Sequence, residues 1–442
     1  MYSRAFKRAI LAQLIPQFER YCIAKERNVL STILKTLAPL LSLFIFMLGN
    51  GLFTTLVVLR LHMDHASSLM IGAMTASYYL GLGCGSFRIE PFIVRVGHIR
   101  AFAAFASTLA VVSVFQGMII NTWLWLFLRF IGGFATAGLF VVIESWLLVQ
   151  SAVNIRGQIL AIYMVSLYGG QALGQFFINV GDPQSLLLFA IAAMLCSLSV
   201  IPLAMTHISS PKIEEPSTLS FRKLYYVSAS GVIGCFCSGL VLGASYGLVP
   251  LFVSENAGTP TLVSIIMAVT ILGGMALQYP VGRLSDYIER RVVLIIICVL
   301  ALVLSLAVIT FFKHHVMSYV VFFLFGGMTF TLYPLSISHA CDQLAPKDIV
   351  AGTQGLLLAY SIGATLGPLI APLFMGVFGS NGLFIYFIVI TGFLAMFFVW
   401  RKTRRVAFPQ EEHFITMPQT TPVMSELDPR SEAVAATEAK HE

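Results

Sequence analysis

Charge is scarce in this sequence: Asp, Glu, Lys and Arg together make up 11% of 442 residues, while 58% are hydrophobic. A water-soluble domain carries about a quarter charged residues, so a fully solvated surface is excluded. Cysteine is thin as well. The seven cysteines fall mostly in apolar stretches, with no Cys-x-x-Cys pair and no histidine cluster at metal-ligand spacing, so neither a disulfide framework nor a structural metal is expected. No Walker-type Gly-rich loop is present, which argues against a nucleotide-hydrolysing module, and nothing implies a cofactor. The first 35 residues are basic and interrupted by Pro16, Glu19 and Glu26, unlike a cleavable signal peptide.

What the chain has in abundance is long apolar runs, each sufficient to cross a hydrocarbon core of about 30 Å. They fall at Leu37–Leu59, Leu69–Phe87, Ala101–Ile120, Trp123–Val149, Ile159–Val180, Leu186–Met205, Val227–Val253, Leu262–Val281, Val292–Phe312, Val316–Ala340, Gly352–Phe378 and Leu383–Trp400. The expectation is an all-α membrane protein of twelve transmembrane helices. Short connections such as Asn121-Thr122 and Lys313 to His315 make sequential helices antiparallel.

The net charge of +7 does not point to nucleic acid, because the basic residues gather on alternate connections. One side holds those from Arg4 to Lys35, then Arg88, Arg95, Arg100, Arg156, Lys212, Arg222, Lys223, Arg283, Arg290, Arg291, Lys347 and the group Arg401 to Arg405. The other side has little beyond Arg60 and Lys313. The positive-inside rule therefore puts both termini in the cytoplasm of a multi-pass protein of the cell (inner) membrane. Around the spans we expect a basic amphipathic arm (1–36) and a largely disordered cytoplasmic tail (401–442), rich in Pro, Thr and Glu.

The Pro- and Ser-containing connection 207–224 separates two halves, 37–206 and 225–400. Gly132-Gly133 in the fourth run matches Gly326-Gly327 in the tenth, and Gly170-x-x-x-Gly174 in the fifth matches Gly363-x-x-x-Gly367 in the eleventh. The common offset is about 193 residues, and an even number of spans per half makes the repeats parallel. Single Gly pairs are ordinary helix-packing devices; the shared offset is what carries the argument.

Between the eighth and ninth runs stands Gly282-Arg-Leu-Ser-Asp286-Tyr-Ile-Glu-Arg290-Arg291. It resembles the signature loop of the major facilitator superfamily, G-x-L-S-D-x-x-x-R-R. The equivalent loop of the first half, Glu90 to Arg100, keeps Arg95 and Arg100 but has Val94 in place of the Asp. Leu128-Arg129-Phe-Ile-Gly-Gly-Phe, Val142-Ile-Glu144-Ser-Trp146, Ile155-Arg156-Gly-Gln and Ala172-Leu-Gly-Gln175 are similar to the YcaD-like branch. The resemblance implies the superfamily's fold, transport as the function, and a gating role for Gly282, Asp286, Arg290, Arg291, Arg95, Arg100 and Arg156. By the internal symmetry, Asp286 should sit near the start of the fifth helix, around Arg156-Gly157. The Gly-Pro pair that drug-proton antiporters carry in the fifth helix is absent there, where Gln175 follows Gly174, and occurs at Gly367-Pro368.

Arg129 and Glu144 stand out inside apolar runs, where a charge costs on the order of 3 kcal/mol unless satisfied. Both lie on the fourth helix, roughly 22 Å apart, so each needs another partner. Arg129 suits an anionic substrate in a central cavity, or a structural pairing with neighbouring helices. Glu144 suits a gate salt bridge with Arg95 or Arg156, or a proton-coupling site. Asn50, Gln171, Gln175, Tyr246, Tyr333 and His339 are further candidates for cavity lining, with interhelical hydrogen bonding the competing role. The expected function is secondary active transport of a small solute by alternating access, with H+ as the coupling ion. The competing classes are a transporter-shaped solute sensor and an intramembrane serine hydrolase built on Gly243-Ala-Ser245-Tyr-Gly247 with His339.

Overall fold

The computed structural model describes residues 36–150, 156–205, 221–345, 348–404 and 414–427. The basic N-terminal arm before residue 36 and most of the connection between the halves lie outside the described residues. The described chain is helical, without a strand. The first half contributes α1 (Thr36–Met63), α2 (Ser68–Arg88), α3 (Glu90–Val96), α4 (His98–Met118), α5 (Thr122–Gln150), α6 (Arg156–Gly174), α7 (Leu186–Leu198) and α8 (Val200–Ala204). The second contributes α9 (Phe221–Val227), α10 (Ala229–Ala257), α11 (Pro260–Tyr287), α12 (Arg290–Phe311), α13 (His315–Cys341), α14 (Ile349–Phe378) and α15 (Gly382–Arg404). Nine stretches among the described residues are long and apolar enough to cross a membrane.

The helix ends follow local chemistry. Ser67 and Ser228 cap α2 and α10 by accepting from the amides of Met70 (3.3 Å) and Gly231 (3.4 Å). Pro260 opens α11, where its missing N–H is harmless. Gly258 closes α10 in the left-handed conformation, φ 68°.

Three elements differ from the sequence expectation. The fifth run leaves the α-helix at Gly174 and continues as 3-10 turns over Gln175–Val180. The sixth is divided at Ser199 into α7 and α8. The signature segment is barely a loop: Gly282 to Tyr287 continue α11, and Arg290 already begins α12.

Helices approach closely where glycine lets them. A Cβ on Gly133 of α5 would strike the Tyr78 carbonyl of α2, and one on Gly326 of α13 would strike that of Thr270 in α11. Gly174 of α6 meets the Leu48 carbonyl of α1 in the same way, and Gly367 of α14 meets that of Leu240 in α10. The two halves touch chiefly along α2 against α14 and α6 against α11. Residues 414–427, placed by composition in a disordered tail, are packed between them instead. Met417, Val423 and Met424 are buried there in a cluster with side chains of both halves.

Gly133→Leu is expected to force α2 and α5 apart, a strain of about 1–3 kcal/mol or more. A thermal-unfolding scan in detergent should show a clearly lowered Tm. Gly376→Ala, where an added Cβ meets nothing within 4 Å, should leave Tm unchanged or slightly raised.

Candidate functional site

A small cavity of about 80 Å³ lies between the halves. Its wall takes Asn50 and Thr54 from α1, Thr75, Tyr78 and Tyr79 from α2, Arg129 from α5, Tyr168 and Gln171 from α6, Tyr246 from α10 and Tyr360 from α14. Gln419 and Thr420 of the C-terminal segment complete it. Sites for drug-sized ligands span about 300–1,000 Å³, so this cavity is contracted and has room for a few waters.

Arg129 is 2% exposed. Its guanidinium carbon lies 4.7 Å from the centroid of the Tyr78 ring and 5.4 Å from that of Phe53. Its Nε has no hydrogen-bond partner, and the side chain forms no ion pair among the described residues. Two cation–π contacts return about 0.5–2 kcal/mol each, against on the order of 3 kcal/mol for burying an arginine at membrane depth. The cationic group is thus stabilised by ring faces while retaining donor capacity for an anion.

Of the other candidates, Asn50, Gln171 and Tyr246 line this cavity. The Tyr246 hydroxyl lies 3.4 Å from Gln171 Oε1, a polar contact between the halves. Gln175 does not line it: its amide donates to the Gly51 carbonyl (3.0 Å) and its Oε1 accepts from Thr55 (2.7 Å), fastening the 3-10 turns to α1. Tyr333 is buried against Tyr360, with ring centroids 4.9 Å apart. His339 is buried near the end of α13 with its Nε2 3.0 Å from Gln343 Nε2. The Ser245 hydroxyl donates to the Val241 carbonyl of its own helix (2.7 Å), so Ser245 and His339 share no hydrogen bond and form no catalytic pair.

Glu144 is fully buried and accepts from the Tyr163 hydroxyl (2.6 Å) and from the Thr421 hydroxyl. The expected salt bridge with Arg95 or Arg156 is not formed. Arg95 and Arg100 are exposed, on α3 and at the start of α4, and Arg156 Nη1 donates to the Glu426 carbonyl at 3.1 Å. Residues 414–427 intervene between Glu144 and Arg156: the Thr421 hydroxyl bonds to the one and the Glu426 carbonyl to the other.

The signature residues gather at the same end. Arg290 Nη1 lies 2.9 Å from Asp342 at the end of α13, and its Nη2 lies 3.7 Å from Asp286. Arg291 Nε is 3.6 Å from Glu289. Asp286 accepts from the Phe414 amide (2.7 Å), and the Phe414 ring lies over Gly282, where any side chain would collide with it. α11 runs along α6, whose first described residue, Arg156, holds the far end of the same C-terminal segment.

Sequence reasoning missed the tyrosines Tyr78, Tyr79, Tyr168 and Tyr360. Their signal was position: membrane tyrosines concentrate at the interfaces, whereas Tyr78 and Tyr79 stand in the middle of α2.

The Major Facilitator Superfamily model matches residues 40–357 and 231–419. The chain belongs to this superfamily. It is 31% identical over 369 residues to an uncharacterised MFS-type transporter, YcaD, of Escherichia fergusonii, across 83% of this chain and 95% of that one. It is 32% identical over 359 residues to the Escherichia coli protein of the same name, across 80% and 93%. Among solved structures, the nucleoside transporter NupG superposes with a TM-score of 0.71 at 15% identity, covering 84% of this chain and 100% of that one. A bacterial homologue of the human lysosomal transporter Spinster, inward-facing and occupied, gives 0.66 at 15% identity, covering 84% and 96%. These likenesses show the fold. A multi-pass membrane transporter of the major facilitator superfamily, rather than an enzyme, is the class to which the residues and the relatives both lead.

For this superfamily member, Gln175→Leu should lower thermal stability by about 1–3 kcal/mol, because the Thr55 hydroxyl loses its buried acceptor. Gln171→Ala should leave the unfolding midpoint nearly unchanged. Unfolding scans of the two variants side by side separate the structural glutamine from the one that lines the cavity.

Proposed function

We propose that the protein is a secondary active transporter that carries a small anionic solute across the inner membrane by alternating access. The observation that carries this reading is Arg129: a buried guanidinium, faced by the rings of Tyr78 and Phe53, that enters the central cavity without a carboxylate partner among the described residues. Asn50 and Gln171 supply neutral donors and acceptors beside it, and the tyrosines supply flat apolar walls. A carboxylate or phosphate group would complete the arginine's bonding, and charge-assisted hydrogen bonds are the stronger kind.

Twelve crossings fit the helices. The apolar stretches include α14 and α15 as one continuous run, and α2 and α6, less apolar because they line the cavity and the seam, supply the remaining two. The parallel repeat is supported by equivalent close contacts. Gly133, Gly170 and Gly174 are each separated by about 193 residues from Gly326, Gly363 and Gly367, and each pair abuts carbonyls at nearly the same interval. With both termini in the cytoplasm, rocking of the halves about this cavity is the transport cycle.

Proton coupling is assigned to Glu144, a buried carboxyl group held only by hydroxyls among the described residues. A charge there is tolerated only while it is well bonded, so gain or loss of a proton is tied to what surrounds it.

Two measurements test the reading. In a thermal-shift screen of anionic metabolites, a stabilising ligand should lose at least about tenfold in affinity with Arg129→Gln, as for loss of a charge-assisted bond. Unaltered affinity would reject the anionic site. In proteoliposomes, Glu144→Gln should abolish solute accumulation driven by a proton gradient while leaving solute binding intact. Accumulation that survives both this substitution and an uncoupler would reject proton coupling.

A further inference from the structure

Three of the hydrogen bonds that hold residues 414–427 are of a kind that peptide-binding grooves use: side chains of the host reading the main chain of the guest. Asp286 takes the Phe414 amide at 2.7 Å, the Ser86 hydroxyl lies 3.2 Å from the Thr420 carbonyl, and Arg156 donates to the Glu426 carbonyl at 3.1 Å. Side-chain bonds fix the register: the Thr421 hydroxyl donates to Glu144, the Tyr163 hydroxyl lies 3.4 Å from that of Thr420, and the Tyr168 hydroxyl lies 3.5 Å from Gln419 Oε1. Apolar anchors complete the fit. Met417 and Met424 are 2% and 1% exposed, although the surrounding sequence is rich in Pro and Thr. Pro418 and Pro422 flank Gln419 and the two threonines, and from Pro422 the chain turns into a 3-10 helix.

The groove is made by both halves. The turn Pro422–Leu427 packs against α5 of the first half and α14 of the second, and Gln419 and Thr420 form part of the cavity wall itself. We propose that the vestibule at the basic end of this transporter is a peptide-binding site, that its ligand is the chain's own segment 414–427, and that occupancy holds this end closed. Solute leaving toward that end must pass Gln419 and Thr420, so the segment and an open pathway exclude each other. Tethering gives the segment a high effective concentration, which keeps a modest binder in place without making it permanent. The consequence for gating rests on the transport reading above; the binding site does not.

The test uses the purified full chain in detergent. Ser86→Cys, in a background with Cys22→Ser and Cys84→Ser, reports whether the vestibule is covered, because Ser86 is 8% exposed and lies against the Thr420 carbonyl. Maleimide labelling of this reporter should be slow. Adding Met417→Glu and Met424→Glu should speed it about tenfold or more, as for a locally opened segment. A synthetic peptide of residues 414–427 should slow it again, and the same peptide carrying Met417→Glu and Met424→Glu should not. Where the doubly substituted chain fails to stay monodisperse, Thr421→Val and Gly282→Ala carry the same comparison from the Glu144 and Phe414 ends. Equal labelling with and without the substitutions, or no protection by the peptide, overturns the proposal. Neither result touches the transport reading, since labelling needs no solute; a protected reporter in a protein without flux would count against transport alone.

Discussion

Hydrocarbon offers no hydrogen bonds, so every backbone N–H and C=O within it must be satisfied by the chain itself. That constraint makes the membrane part of this protein helical. It also decides where irregular backbone is allowed. The one departure in the fifth run, the 3-10 turns of Gln175–Val180, is fastened by the Gln175 side chain to the Gly51 carbonyl and the Thr55 hydroxyl of α1. Serine and threonine hydroxyls elsewhere follow the same rule by returning to carbonyls one turn back, as Thr136, Ser145, Thr331 and Thr391 do.

With the helices given, how closely they approach determines what the polar residues can reach. Gly133 presses α5 against the Tyr78 carbonyl of α2, and Arg129 lies one turn away on α5. The same close approach therefore brings the guanidinium over the Tyr78 ring, at 4.7 Å. A side chain at position 133 would separate the helices and leave a buried cation without the ring that stabilises it. The glycine belongs to packing and the arginine to the cavity, yet the second depends on the first.

This dependence explains what was legible in the sequence. Apolar runs gave the helices because length and hydrophobicity are one-dimensional properties. Arg129, Asn50, Gln171 and Tyr246 were found as polar groups out of place in such runs, and they do meet at the cavity. Gln175, Tyr333 and His339 look the same in one dimension but are engaged elsewhere, Gln175 with α1, Tyr333 with Tyr360 and His339 with Gln343, since rotation about a helix axis is set by neighbours rather than by the helix's own residues. The C-terminal segment was the least legible. Met417, Val423 and Met424 are diluted among prolines and threonines, and the surface that orders them exists only once both halves are assembled.

The two ends of the bundle are sealed in different ways. Toward the opposite end, the halves bond to each other directly, as where Asn179 beside α6 donates to Ser264 of α11 at 3.0 Å. At the basic end, Glu144, Ser86 and Arg156 of one half and Asp286 of the other all bond to the intervening segment 414–427. A segment that contacts both halves binds the arrangement in which they are close and not the one in which they are apart. By linkage it stabilises the closed arrangement by its differential affinity, and whatever opens that end must first supply an equal free energy. On the proposed reading, the segment would act on the equilibrium between facing states, and Glu144, bonded to it directly, is where the proposed proton site and the segment meet.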